Sequence, residues 1–242
     1  MPLTADRDGL RRTAARLSAA GAGNEAAAQE GLDLLAVLAG LKPAAVLGYA
    51  RADQGWRDAL AEEAGRAGLA VRPCTAWISA GEFDGAPGWY AEGVAELRAK
   101  AALIAVAPDE TAFAALTDGP APVLDAAAEA ALLGYPACCV AGHADWRRAL
   151  HLATAPILLA AAGGDTGRAR RMAAADWVPT PRDADEAARL AALLDRDVAP
   201  CTSILPCRAC TADDRGPTPA LSRAFRALAL SCGHAAAPAE AA

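Results

Sequence analysis

The spacing of apolar and polar residues predicts two helices at the start of the chain, followed by alternating strands and helices. Apolar residues recur at helical intervals over Thr4–Ala20, and Asn24 can cap a second helix that ends near Gly40. Three short apolar runs then follow, separated by helical patterns, as expected for strands covered on both faces. The predicted strands are Ala44–Ala50, Leu69–Trp77 and Ala101–Ala107, with helices at Gln54–Ala67 and Ala91–Lys100.

This order of elements predicts an α/β fold, with a small three-layer parallel sheet in the N-terminal half and a mostly helical C-terminal half. After Asp109 the pattern favours helices that are separated by proline and glycine, at Ala121–Leu133, Ala144–Ala153, Ala155–Ala162, Asp185–Leu194 and Leu221–Leu230. We therefore expect three units and a tail. They are N-terminal helices at 1–40, a small α/β domain at 41–120, a helical domain with a cysteine site at 121–234, and a disordered tail at 235–242.

The composition argues against several classes of protein. Alanine supplies 70 of the 242 residues, so the hydrophobic fraction of 54% overstates the number of large apolar side chains. A net charge of −6, without a face rich in lysine or arginine, argues against a nucleic-acid partner. No apolar run approaches the roughly 18 residues of a membrane span, and Met1–Ala20 lacks the apolar core of an export signal. We therefore expect a cytoplasmic protein.

Four of the seven cysteines fall into two pairs that suggest a metal site. Cys138 and Cys139 are adjacent in the segment LGYPACCV, and Cys207 and Cys210 form a Cys-x-x-Cys motif in the segment ILPCRACT. In a reducing compartment, clustered cysteines more often bind metal or perform redox chemistry than form disulfides. Four thiolates suit either a tetrahedral zinc ion or an iron–sulfur cluster.

The adjacency of the first pair bears on which metal is expected. Neighbouring side chains tend to diverge and rarely chelate one small ion, whereas a cubane accepts thiolates on separate corners. This argument favours a [4Fe–4S] cluster, with zinc as the alternative and a site without metal as the third possibility. A thioredoxin-like dithiol at Cys207 and Cys210 is disfavoured, because the sequence after Cys210 has turn composition and not helix composition.

The two cysteine motifs resemble those of a family of uncharacterised prokaryotic proteins. Members of that family carry GYP-x-CC-V at the end of a helix and a downstream Pro-Cys pair, and the resemblance covers 133–140 and 206–211 here. One departure is Arg208, which stands where the family motif has a serine. The resemblance implies that the four cysteines act together as cluster ligands, and it supplies no activity.

Several other residues are candidates for binding or catalysis on a small-molecule substrate. His143 follows Cys139 by four residues, and its imidazole suits acid–base catalysis; a solvent-facing histidine is the competing interpretation. Trp77, Trp89 and Tyr90 belong to a segment with glycine hinges that follows the second predicted strand. A surface loop held by its own aromatic residues explains that segment equally well. Arg51, after the first strand, can bind a carboxylate or phosphate.

Together these features predict a cytoplasmic enzyme that holds a [4Fe–4S] cluster on Cys138, Cys139, Cys207 and Cys210 and acts on a small molecule. The alternative is a binding or adaptor protein in which zinc only ties two parts of the chain together. A metal-free protein that binds a small molecule in the α/β half is the third hypothesis.

Overall fold

The architecture is taken from a computed structural model, which describes most of the chain. The described residues are 7–20, 25–48, 55–114, 116, 120–176, 178–195, 201–202, 204–213 and 215–234. Two of the sequence predictions, the substrate-binding role of Arg51 and the disordered tail at 235–242, lie outside these residues.

The described residues contain ten α-helices and five short strands. The helices are α1 (Arg7–Ala20), α2 (Glu25–Leu38), α3 (Gly55–Arg66), α4 (Gly88–Ala99), α5 (Ala126–Leu133), α6 (Ala137–Ala161), α7 (Thr166–Ala175), α8 (Ala184–Leu194), α9 (Arg208–Ala212) and α10 (Pro217–Cys232). The strands are β1 (Ala45–Leu47), β2 (Ala70–Cys74), β3 (Ile78–Ser79), β4 (Leu103–Ala107) and β5 (Val123–Leu124), and a 3-10 helix spans Glu110–Phe113.

The predicted three-layer parallel sheet is wrong. The main sheet has three strands in the order β1-β4-β2, and β4 runs antiparallel to both of its neighbours. Val106 of β4 is the partner of Ala45 in β1 and of Val71 in β2. A separate two-stranded sheet pairs β3 with β5 in parallel. The fold is therefore mainly helical, built around a small antiparallel sheet.

The path of the chain between β2 and β4 explains why the parallel prediction fails. The segment after β2 leaves the main sheet to form β3, which pairs with β5. Helix α4 then packs against α7 and does not form the crossover that a parallel βαβ unit requires. The chain consequently re-enters the sheet in the opposite direction as β4. Strand spacing in the sequence does not encode this direction.

The largest hydrophobic cluster lies between the N-terminal helices, one face of the main sheet and α10. Leu32, Leu34 and Leu35 of α2 are fully buried in it, together with Leu60 of α3. Phe225 of α10 is also fully buried there, so α10 packs beside α1 and α2 although it lies far along the chain. This packing fixes the position of the start of α10, which contributes to the cysteine site.

Helix α6 carries half of the cysteine site. The sequence predicts separate helices at Ala144–Ala153 and Ala155–Ala162, but one helix of 25 residues runs through Pro156. It begins directly after Pro136, and Gly134 adopts a left-handed conformation (φ 70°) that ends α5. Cys138 and Cys139 therefore lie in the first turn of α6. Within the described part of the chain, no helix has the length and apolar character needed to cross a membrane.

Candidate metal centre

The four paired cysteines meet at one place in the fold. The Sγ atoms of Cys138, Cys139, Cys207 and Cys210 all lie within 4.8 Å of one another. Cys138 Sγ is 4.0 Å from Cys139 Sγ and 3.8 Å from Cys210 Sγ. Cys139 and Cys210 are buried, Cys207 is half-buried and Cys138 is exposed. Four thiols at these separations are a group that can bind a metal.

The expectation that adjacent cysteines diverge is wrong for this pair. In the first turn of α6, Cys138 and Cys139 direct both sulfur atoms toward the segment around Cys207. The backbone N–H of Cys207 donates a hydrogen bond to Cys139 Sγ at 3.2 Å. The second pair opens a helix after all, since Cys207 is the N-cap of α9, but that helix has only five residues.

Two residues that the sequence analysis did not single out shape the site. Gly142 lies against Cys207, and a Cβ atom at Gly142 would be 2.9 Å from Cys207 Cβ, which is closer than such atoms approach. Thr218, fully buried in the first turn of α10, has its hydroxyl 2.9 Å from Cys139 Sγ. Both contacts join segments that are distant in sequence, so no local pattern marks them.

The surroundings of Cys210 favour a thiolate. Burial opposes ionisation of Cys210, but hydrogen bonds from the N–H and hydroxyl of Thr218, together with those from Cys138 and Cys139, outweigh it and lower the pKa of this thiol to about 7. Burial raises the pKa of Cys139 to about 12. Thr218 lies in the first turn of α10, so the N-terminal end of this helix stabilises negative charge on the Cys210 sulfur.

The donor set fits a metal that prefers sulfur ligands. Thiolates bind zinc and iron–sulfur clusters, and four of them complete a tetrahedral zinc site. At a zinc–sulfur distance of about 2.3 Å, tetrahedral geometry places the sulfur atoms about 3.8 Å apart. The separations of 3.8 Å and 4.0 Å that involve Cys138 are close to that value.

A cavity of about 240 Å³ lies directly beside the cysteines. Its wall includes Cys139, His143 and Arg147, which follow one another at four-residue intervals along one face of α6. Ile204 contributes from the segment before Cys207, and Trp77 from the segment after β2. The cavity therefore shares Cys139 with the cysteine cluster.

Two of the predicted substrate and catalytic residues lie at this cavity. His143, the predicted acid–base residue, lines it, and its ring packs 5.0 Å from the ring of Trp146. Trp77 also lines the cavity and is almost fully buried. Their functional roles stay predictions.

The two other described candidates lie elsewhere. Tyr90 is fully buried in a hydrophobic cluster formed with α6 and α7, and Trp89 packs against that cluster. The Tyr90 hydroxyl is hydrogen-bonded to His151 Nδ1 at 2.9 Å and to Thr154 Oγ1 at 2.6 Å. Neither aromatic residue is part of the cavity wall. Their predicted role in substrate binding is untested, and their position is that of core residues.

A buried carboxylate holds one cavity residue in place. Glu82 is fully buried, and it lies 2.8 Å from Arg98 Nη1 and 3.2 Å from Arg147 Nη1. Arg98 also donates to the backbone oxygen of Trp77 at 2.5 Å. His151 Nε2 lies 4.0 Å from Glu82, and burial lowers the pKa of His151 to about 3, so this imidazole is neutral at pH 7. The carboxylate thus links the last turn of α4 to α6.

The remaining cysteines lie away from the cluster. Cys74 is buried in a second hydrophobic cluster, formed with β1, β4 and α5, and Cys201 and Cys232 pack against the largest hydrophobic cluster, which includes the N-terminal helices.

No protein-family model matches this chain, and no similar protein is found among curated proteins or solved structures. The motif resemblance therefore stays an expectation, and the functional argument rests on the site itself.

Proposed function

We propose that this protein is a zinc protein that binds a small molecule in the cavity beside its metal centre. The observation that carries the proposal is the convergence of four cysteine sulfur atoms within 4.8 Å of one another. Cys138, Cys139, Cys207 and Cys210 are the ligands. The cavity supplies the binding site, and Cys139 belongs to both.

The spacing of the sulfur atoms supports zinc over an iron–sulfur cluster. Sulfur atoms about 3.8 Å apart surround a single ion at normal zinc–sulfur distances. A cubane holds each thiolate on a different iron atom, so its ligands stand further apart. The observed separations of 3.8 Å and 4.0 Å match the single ion.

In this proposal zinc has a structural role. Four thiolates fill the coordination sphere and leave no position for water or substrate. The ion joins the start of α6 to the segment around α9, which are 68 residues apart between Cys139 and Cys207. Holding these segments together also fixes Ile204 and Cys139 in the cavity wall.

An enzyme with a [4Fe–4S] cluster is the second candidate. The observation that favours it is the position of His143, which lines the cavity one helical turn beyond Cys139. A ligand in the cavity would contact both an acid–base group and the wall of the metal centre. In this candidate His143 is the catalytic residue, and a cluster held by all four cysteines would supply redox chemistry.

Metal analysis of anaerobically purified protein distinguishes the two candidates. The proposal expects about one zinc ion per chain and a colourless solution. About four iron and four sulfide ions per chain, with visible absorption that bleaches in air, would establish the second candidate instead. Protein that binds neither metal would overturn both.

A further inference from the structure

The cavity beside Cys139 has the size and lining of a site for a small polar molecule. Its volume of about 240 Å³ corresponds to about eight water molecules in the liquid. Val46, Trp77 and Leu133 provide apolar surface. The same wall carries charged side chains, and the way in which these are paired indicates which ligand groups the cavity accepts.

Glu129 provides a negative charge at the cavity wall. Its side chain is almost fully buried, and Oε2 accepts a hydrogen bond from the Ser79 hydroxyl at 2.7 Å. Among the described residues, no cationic side chain forms an ion pair with Glu129. A buried carboxylate is stabilised by an opposite charge, and a ligand ammonium group placed in the cavity would supply it.

Arg147 provides a positive charge at the same wall. It shares Glu82 with Arg98, so two guanidinium groups lie against one carboxylate. Only Nη1 of Arg147 bonds to Glu82, and a guanidinium group has five N–H donors in all. The remaining donors are suited to a ligand carboxylate, which such a group binds through two parallel hydrogen bonds.

The other charged residues of the wall contribute less to ligand choice. Lys42 lies 3.2 Å from Asp33, so the two charges cancel, and its ammonium group also donates to the Tyr135 hydroxyl at 2.9 Å. Both carboxylate oxygens of Glu30 accept from the backbone N–H of Gly48. Glu129 and Arg147 are therefore the pair available to a ligand.

We infer that the cavity binds a small zwitterion, with an ammonium group at Glu129 and a carboxylate group at Arg147. The inference deepens the proposed function, since it assigns a ligand class to the cavity beside the metal centre. Amino acids and short ω-amino acids belong to this class. The structure places the sulfur of Cys139 in the wall that such a ligand would contact.

Calorimetric titration of the metal-loaded protein tests the inference without any variant. The probes are the common amino acids, the series from glycine to 6-aminohexanoate, and for each carbon length the simple amine and the simple carboxylate. We expect one or more zwitterions to bind with one-to-one stoichiometry. Each of these should bind roughly tenfold more tightly, or better, than the simple amine and the simple carboxylate of the same carbon length. Absence of binding by every zwitterion, or equal binding of a simple amine or carboxylate, would overturn the inference.

Matched substitutions then locate the two charges. Glu129→Gln and Arg147→Gln should each weaken binding of the best zwitterion roughly tenfold or more, while Glu62→Gln on the exposed surface of α3 should leave it unchanged. Unchanged binding in either of the first two variants would refute the assignment. Metal content measured on each sample separates the two proposals. Protein that binds a zwitterion but takes up neither zinc nor iron would reject only the metal centre. Protein that holds its full metal content but binds no zwitterion would reject only the ligand class.

Discussion

At the scale of single residues, Cys139 connects the two parts of the site. Its sulfur accepts the N–H of Cys207, contacts the hydroxyl of Thr218 and forms part of the cavity wall. Cys138, its neighbour in sequence, is exposed. The cysteine cluster is therefore open to solvent at Cys138 and borders the cavity at Cys139.

Replacement of Cys207 by serine should remove the metal. Three thiolates leave the coordination sphere incomplete, so zinc content should fall from about one ion per chain to nearly none after dialysis against a chelator. The control is Cys232→Ser, at the end of α10, because Cys232 packs against the N-terminal helices and not at the site. Full zinc content in the Cys207 variant would show that the four-cysteine site is wrong.

Substitution of Gly142 tests the geometry of the site without removing a ligand. In Gly142→Ala the new Cβ atom would lie 2.9 Å from Cys207 Cβ, so the Cys207 segment must move away from α6. We expect zinc affinity, measured by competition with a coloured chelator, to fall roughly tenfold or more, as when a residue that orients a metal ligand is replaced.

Gly65→Ala in α3 is the matched control for that measurement. Its Cβ atom would have only Val71 Cγ2 nearby, at 4.0 Å, and alanine is a better helix former than glycine. Zinc affinity should therefore be unchanged in this variant. Equal zinc affinity in both alanine variants and the parent would contradict the close packing of α6 on Cys207.

At the scale of secondary structure, α6 organises both sites. Its first turn carries Cys138 and Cys139, two of the proposed metal ligands, and the next two turns carry His143 and Arg147 on the cavity side. The residue that holds Arg147 in position is Glu82, which comes from the segment between β3 and α4. This buried ion pair therefore fixes Arg147 at the cavity wall.

Loss of the charge on Glu82 should destabilise the fold strongly. Glu82→Gln leaves the guanidinium groups of Arg98 and Arg147, both largely buried, without their counter-charge, so we expect the free energy of unfolding to fall by about 3–5 kcal/mol. Urea denaturation measures it. The control Glu62→Gln breaks an exposed ion pair with Arg66 and should have little effect. Equal stability of the two variants would contradict the buried cluster.

The sequence predicts most of the element positions but not how the elements are joined. The apolar runs contain β1, β2 and β4, and the almost complete burial of β1 and β4 explains why they read as continuous apolar runs. The direction of β4 depends on where α4 packs, and α4 contacts α7, a helix that the sequence analysis did not predict. Direction is thus set by a tertiary contact.

The metal site could be predicted in composition but not in geometry. Paired cysteines stand out in the sequence, and the convergence of Cys138, Cys139, Cys207 and Cys210 follows that expectation. The close approach at Gly142 and the hydrogen bonds from Thr218 join distant segments, so no local pattern reveals them. The cavity likewise forms only when α2, α5 and α6 pack together.

At the scale of the whole molecule, buried histidines should make the fold sensitive to acid. Burial, with the positive charges of Arg98 and Arg147, lowers the pKa of His151 to about 3, and burial lowers that of His234 to about 4. Above pH 6.5 both imidazoles are neutral in the folded and the unfolded chain. Below it the unfolded chain takes up protons that the folded chain does not, so the free energy of unfolding falls with decreasing pH.

The contribution of His151 can be measured by substitution. On going from pH 8 to pH 5, the lowered pKa of His151 should reduce the free energy of unfolding of the parent protein by about 2 kcal/mol. The His151→Asn variant lacks the titrating group, so its free energy of unfolding should fall by about 2 kcal/mol less than that of the parent over the same range. Both proteins are compared by urea denaturation at equal metal content. The same pH dependence in both would contradict a neutral, buried His151.

We propose that four cysteines hold a single zinc ion beside a cavity for a small molecule. X-ray absorption at the zinc edge of the purified protein is the decisive measurement, since it counts ligands and measures their distances. We expect one shell of four sulfur atoms at about 2.3 Å. A shell with nitrogen or oxygen ligands, or iron absorption with an iron–iron shell in place of zinc, would contradict it.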